Sequence, residues 1–257
     1  MPAAGIPRHS GSPGEGKAGR VRILAHPSPN FGERRGGARP SLVVLHYTAM
    51  PSAEAALDRL SAPEHEVSAH YLVAEDGRVF RLVDEASRAW HAGRAAWGAV
   101  TDVNSASIGI ELANPGGAPF AAPLMASLEA LLADILARHA FAPERVIAHS
   151  DCAPGRKHDP GARFDWRRLV RAGLSVWPAA AQGAGQGAGQ GPAPSMPAFL
   201  ADLRTFGYTA EAPPEALLDA FRLRFRPGAD GPLAPADTGL AADLACRYPV
   251  DRMGRDT

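Results

Sequence analysis

A chain of 257 residues can fill one core of ordinary size with room for a small second unit, and 46% hydrophobic with 21% charged residues is a globular composition. Lys+Arg and Asp+Glu balance at 27 each, so no global field favours nucleic acid or an anionic membrane. Cys152 and Cys246 lie far apart and make neither a disulfide framework nor a CxxC zinc motif. No apolar run approaches about 18 residues, so no transmembrane helix is expected.

Residues 1–20 hold Gly, Pro and charge without an apolar h-region, which reads as a mobile tail. The missing h-region points to the cytoplasm, with the periplasm or outer membrane as the alternative if a signal has been removed. Residues 21–24 suggest an edge strand, followed by a Pro- and Gly-rich loop. The continuous apolar run 42–47, LVVLHY, reads as a strand buried on both faces. Ser52 is placed to cap a short helix. Runs 69–74 and 78–83 flank Asp76-Gly77, a hairpin signal. In 107–113, Ile108, Ile110 and Leu112 alternate with Gly109, Glu111 and Ala113, so Glu111 is aimed away from the apolar face. Leucines at helical spacing over 123–140 predict the clearest helix. A short strand follows at 145–148, then a helix at 164–174. From Pro178 the chain is Ala/Gly/Gln/Pro-rich, a linker over 178–197 that would span roughly 25 Å as a coil. Helices at 197–206, 214–225 and 238–246 then make a small three-helix unit, 198–250.

Chemistry concentrates in 147–161, IAHSDCAPGRKHDPG. His149 and Asp159 sit ten apart and meet only if the loop folds back, which a divalent metal would reward. His46, closing LVVLH, is the best third ligand. If LVVLH and RVIAH are strands of one sheet running the same way, both imidazoles emerge at one edge. Two histidines and a carboxylate leave a fourth tetrahedral position for water, the catalytic rather than the structural arrangement of Zn2+. Against this stands the plain reading of polar residues at strand ends, good for any one histidine alone but weak for the set. Glu111 is a reasonable base, or else a surface carboxylate on a half-exposed strand. Lys157 shares a side with Asp159 in an extended segment and can stabilise an oxyanion, or else is a solvated lysine.

These words taken together, YT after His46, SAHYLV at 68–73, AWHAG at 89–93, SIGIELAN at 107–114 and HSDCAPGRKHDPG at 149–161, resemble the zinc-dependent N-acetylmuramoyl-L-alanine amidases of the type 2 family, which includes the peptidoglycan recognition proteins. The resemblance runs from about residue 30 to 174. It implies an α/β catalytic domain over 21–177, a mixed central sheet flanked by helices. It also implies zinc on His46, His149 and Asp159, and Glu111 and Lys157 as catalytic partners. The reaction implied is hydrolysis of the amide between N-acetylmuramic acid, normal or 1,6-anhydro, and L-alanine of the stem peptide. His70, Trp90, His91 and Asn114 are then candidates for holding muropeptide, with Asn30 and Tyr71 beside them. Core packing is the competing reading for His70, and packing under a loop for Trp90 and His91. Cys152 and His158 are expected to be bystanders. The C-terminal helices resemble peptidoglycan-binding modules, and the protein is expected to be a monomer. The rivals are a recognition module that binds muropeptides without cleaving them and a zinc amide hydrolase with another substrate.

Overall fold

In the computed structural model, which describes residues 22–179 and 194–250, a six-stranded mixed sheet organises the chain. The expected tail, 1–20, and most of the expected linker, 178–197, lie outside the described residues. Strands β1 (Ile23–Ala25), β2 (Phe31–Gly32) and β3 (Leu42–Tyr47) come first, then helix α1 (Ala53–Ser61). The hairpin β4 (Tyr71–Val73) and β5 (Val79–Arg81) follows, then β6 (Arg88–Ala89), the short α2 (Val103–Ala106) and β7 (Ser107–Leu112). After α3 (Ala122–His139) and β8 (Val146–Ala148) come α4 (His149–Cys152) and α5 (Trp166–Arg171). The C-terminal helices are α6 (Met196–Phe206), α7 (Pro214–Phe225) and α8 (Pro235–Arg247).

The sheet order is β1-β5-β4-β7-β3-β8, with β4 and β5 antiparallel and the remaining neighbours parallel, while β2 and β6 form a separate ribbon. Parallel strands need covered faces, and Leu42, Val43, Val44 and Leu45 are all 0% exposed. Helix α3 packs on β4 and buries Leu124, Leu128, Leu131, Leu132 and Ile135. At about 1.5–3 kcal/mol for each buried leucine or isoleucine, this stripe is a main source of stability. The hairpin turns at Gly77, whose φ of 89° an L side chain rarely adopts, and a Cβ there would also lie 3.0 Å from Pro123 O of α3. Ser52 caps α1 as expected, its Oγ accepting from Ala55 N at 3.2 Å. The helix expected over 164–174 is shorter: Asp165 caps it and Gly173, at φ 72°, lies just past its end.

The three C-terminal helices pack directly on the sheet domain and share one continuous hydrophobic core with it. Trp97, 1% exposed, stands between the two parts, 5.5 Å from the Phe206 ring centroid and 5.1 Å from that of Tyr208. Gly207 lies flat against the Trp97 ring where no side chain would fit. Backbone bonds cross the same seam, Gly98 N to Gly207 O at 2.9 Å among them. Inside the helical unit Arg222 and Arg226 both pair with the fully buried Asp237, each at 2.6 Å.

Candidate active site and metal centre

Strands β7, β3 and β8 end at one sheet edge, and their register sets three polar residues in a row. His46 pairs with Glu111, and Leu45 pairs with Ala148, so His149 emerges beside His46. Residues in register share a face of the sheet, which places the Glu111 and His46 side chains together. His149 is not the last strand residue but the first of α4, where the chain turns to bring the 149–159 loop back. Ser150 N donates to Asp159 O at 3.0 Å and closes that loop.

His46, His149 and Asp159 form a buried group whose ligand atoms all lie within 4.8 Å of one another. Nδ1 of His46 is 2.9 Å from Nδ1 of His149 and 2.9 Å from Asp159 Oδ2, and His149 Nδ1 is 3.0 Å from the same oxygen. The far sides of the rings decide what these atoms are. His149 Nε2 meets the carbonyl oxygen of Ala92 at 3.0 Å and can only donate to it. His46 Nε2 lies 3.0 Å from His91 Nδ1, His91 Nε2 lies 3.1 Å from Ser107 Oγ, and that hydroxyl donates to Val103 O at 2.5 Å. The chain ends on a pure acceptor, so each N–H points outward from His46 along it. Burial, with His149 next in weight, lowers the His46 pKa to about 4, and burial holds His91 well below the ordinary histidine value, so both rings are neutral at working pH. With the outer nitrogens of His46 and His149 donating outward, each ring in its neutral form turns a lone pair toward the Asp159 carboxylate, a repulsive arrangement that a cation relieves. The donor set fits a divalent metal.

His91 fits because Gly109 has no side chain: a Cβ there would sit 2.5 Å from His91 Cγ. Gly109→Ala is expected to push the ring aside and weaken metal binding by about 10–100-fold, the usual cost of losing a ligand's hydrogen-bond partner. Chelator competition on the purified variant checks this; affinity unchanged from wild type would contradict it.

Glu111 has one carboxylate oxygen, Oε2, that is buried with no hydrogen-bond partner in the fold. Burial, reinforced by Asp159 and opposed by Lys157, raises its pKa to about 8. Both features suit a proton carrier more than a salt-bridge residue. His46, Glu111, His149, Lys157 and Asp159 line one cleft of about 390 Å³. Trp90 and His91 line it too, with Tyr47, Met50, Arg59 and Arg156. Arg156 was not singled out from the sequence; its Nη2 donates to Ala92 O and Arg94 O at 2.5 and 2.6 Å, holding the loop that orients His149.

Some expected substrate contacts are placed elsewhere. His70 is 0% exposed; its Nδ1 accepts from Gly109 N at 2.9 Å and its Nε2 lies 3.2 Å from Ser87 O, so it fastens the sheet rather than lining the cleft. Asn114, 3% exposed, shapes its own turn by donating to Ala118 O and accepting from Gly116 N. Asn30 likewise spends its amide on Ala62 O and Val67 O. His91 reaches the cleft, but both its ring nitrogens are bound to protein, which assigns it to holding His46. Cys152 is fully buried and outside the ligand group. His158 is exposed on the cleft wall, also outside that group.

Residues 36–162 match the family model of N-acetylmuramoyl-L-alanine amidase. AmiD of Escherichia coli is 37% identical over 241 residues, covering 85% of each chain. The solved complex of E. coli AmiD with anhydro-N-acetylmuramic acid-L-Ala-D-gamma-Glu-L-Lys superposes with a TM-score of 0.73 at 33% identity, covering 86% of this chain and 99% of that one. AmpDh3 of Pseudomonas aeruginosa, solved with anhydromuramic pentapeptide, gives 0.73 at 32% identity over 83% of this chain and 94% of its own. Fold and sequence agree: the chain belongs to the N-acetylmuramoyl-L-alanine amidase family.

Proposed function

We propose that this amidase is a zinc enzyme that accepts 1,6-anhydro-muramyl peptides, with the ion held by His46 Nδ1, His149 Nδ1 and Asp159 Oδ2. The observation that carries the reading is the buried cluster of His46, His149 and Asp159 beside the unpartnered Oε2 of Glu111, inside a cleft. Zinc in such a site supplies a Lewis acid and lowers the pKa of water to about 7. Glu111 then takes the proton from the attacking water and returns it to the departing nitrogen of L-alanine as the lactyl carbon–nitrogen bond breaks. Lys157, half-buried on the cleft wall, sets its ammonium against the negative charge that grows on the lactyl carbonyl oxygen. Trp90 offers an apolar face to the sugar or peptide. The choice of anhydro substrates rests on the ligands of the two solved relatives.

Lys157→Met is expected to lower kcat by about 10²–10³-fold with little change in KM, since the ammonium is asked to act on the transition state. Steady-state kinetics on a defined muropeptide read this, and an unchanged kcat removes the oxyanion role. The main test incubates the protein with anhydro-muropeptide and, separately, with intact sacculi, and follows products by mass spectrometry. Free L-alanine-terminated peptide from the anhydro substrate, lost with chelator and restored by zinc, is the expected result. Binding without release would instead favour a recognition module. Fractionation of cells tests the cytoplasmic location, and sedimentation with sacculi tests anchoring by α6–α8.

A further inference from the structure

The C-terminal helices reach the metal loop through one carboxylate. Asp151, two residues after His149, is 0% exposed. Its Oδ2 accepts from Ala148 N at 2.8 Å, which fastens the turn that carries His149. The rest of its capacity goes to the C-terminal unit: Arg224 Nη1 of α7 donates to Oδ2 at 2.6 Å, and the Tyr208 hydroxyl donates to Oδ1 at 2.5 Å. Arg224 also donates to Val146 O of β8 and to Ser175 Oγ, both at 3.2 Å, and its guanidinium stacks 4.1 Å over Trp166. A second contact grips the opposite side of His149. Ala92 O receives its Nε2–H, and the same loop donates from Ala96 N to Cys152 O at 2.9 Å and ends at Trp97, wedged against Phe206, Gly207 and Tyr208. Both supports of this one ligand are thus backed by the C-terminal unit. By contrast, the residues that back His46, namely His91, Ser107 and Val103, all belong to the sheet domain.

We infer that Tyr208 and Arg224 are positioning residues for the metal ligand His149, acting through Asp151, so that the C-terminal helices are part of the catalytic machinery's framework. The inference rests on the metal assignment above. A charge that is fully buried and paired holds its neighbours to one geometry, because any tilt of α4 leaves a carboxylate or a guanidinium without its partner. A ligand aimed this way binds metal without first being ordered, so losing the support shows as weaker metal binding.

The test uses the full-length protein and measures zinc dissociation constants by competition with a chromophoric chelator, well below the melting temperature. Tyr208→Phe removes one hydroxyl and keeps the ring against Trp97. It is expected to weaken zinc about tenfold, and Arg224→Met more. Arg222→Met serves as the control: it breaks an equally buried pair, with Asp237, that touches nothing near the metal loop. It is expected to lower the melting temperature while leaving zinc affinity within about twofold. Tyr208→Phe with wild-type zinc affinity and a lowered melting temperature would overturn the inference, leaving the contact merely structural, and that variant decides alone if Arg224→Met does not fold. A wild-type protein that fails to take up zinc would instead defeat the metal assignment itself.

Discussion

Glu111→Gln is expected to cut kcat by roughly 10²–10⁴ while leaving metal bound, the range typical of losing a positioned proton carrier. Glutamine keeps the shape and can hydrogen-bond, but it cannot receive a proton from water and hand it on. Because Oε2 has no partner in the fold, the substitution breaks no protein contact there, and the loss reports chemistry rather than structure. The same group has a signature in stability. The carboxyl titrates near its ordinary 4.5 when unfolded and at about 8 when folded and metal-free, with burial the first cause. A raised folded pKa contributes stability that is fully present below pH 4.5 and is lost as pH climbs through 8. Metal-free Glu111→Gln should therefore match the metal-free parent below pH 4.5 and melt above it at pH 8 and beyond. Equal melting temperatures at pH 9, or an unchanged kcat, would refute the role. A divalent cation held by the cluster would add positive charge nearby and favour the carboxylate, which would bring the pKa below its metal-free value.

Replacing His149 or Asp159 with Ala should abolish zinc binding and cleavage together. The three donors form one cluster, and each is tied so that it cannot swing to compensate: His149 to Ala92 O, His46 to His91, Asp159 to the loop closed on Ser150. Two donors left on rigid supports cannot rebuild a three-ligand site. Zinc content by elemental analysis and product release on the same preparations check both halves. Activity that survives either substitution would refute the site. Retention of zinc without activity would instead mean that the third ligand comes from another side chain.

The strands were legible because each obeys a local rule. LVVLHY shows the apolar continuity of a strand covered on both faces, SIGIEL shows the alternation that aims Glu111 off the apolar side, and Asp76-Gly77 marks the hairpin. The sequence pattern also places His46 and His149 at the ends of runs that prove adjacent and parallel, which is why their meeting with Asp159 was legible. The expected substrate residues were less legible because an identical polar side chain serves either cleft or core, depending on where its atoms are spent. His70 and Asn114 spend theirs on backbone groups of Gly109 and Ala118. His91 could have been read from the run Ser107-Ile108-Gly109, which leaves room for a ring on the face of Glu111, but only with the register in hand. The buried arginines of FRLRFRP were beyond local rules. A guanidinium in a helix reads as solvated unless its acid is known, and the acid for Arg224 lies 73 residues away.

The central position of β3 has a consequence for how activity arises. His46 is separated from His149 by 103 residues and from Asp159 by 113, and the strands that align them are parallel, so long crossovers must close first. No hairpin or other local fragment of the chain brings the three ligands together. During synthesis, a chain paused anywhere before Asp159 lacks one member of the His46–His149–Asp159 cluster, however much of its sheet has formed. The cluster is completed only after all six strands of the sheet have been made, so the topology ties the candidate site to a finished sheet domain.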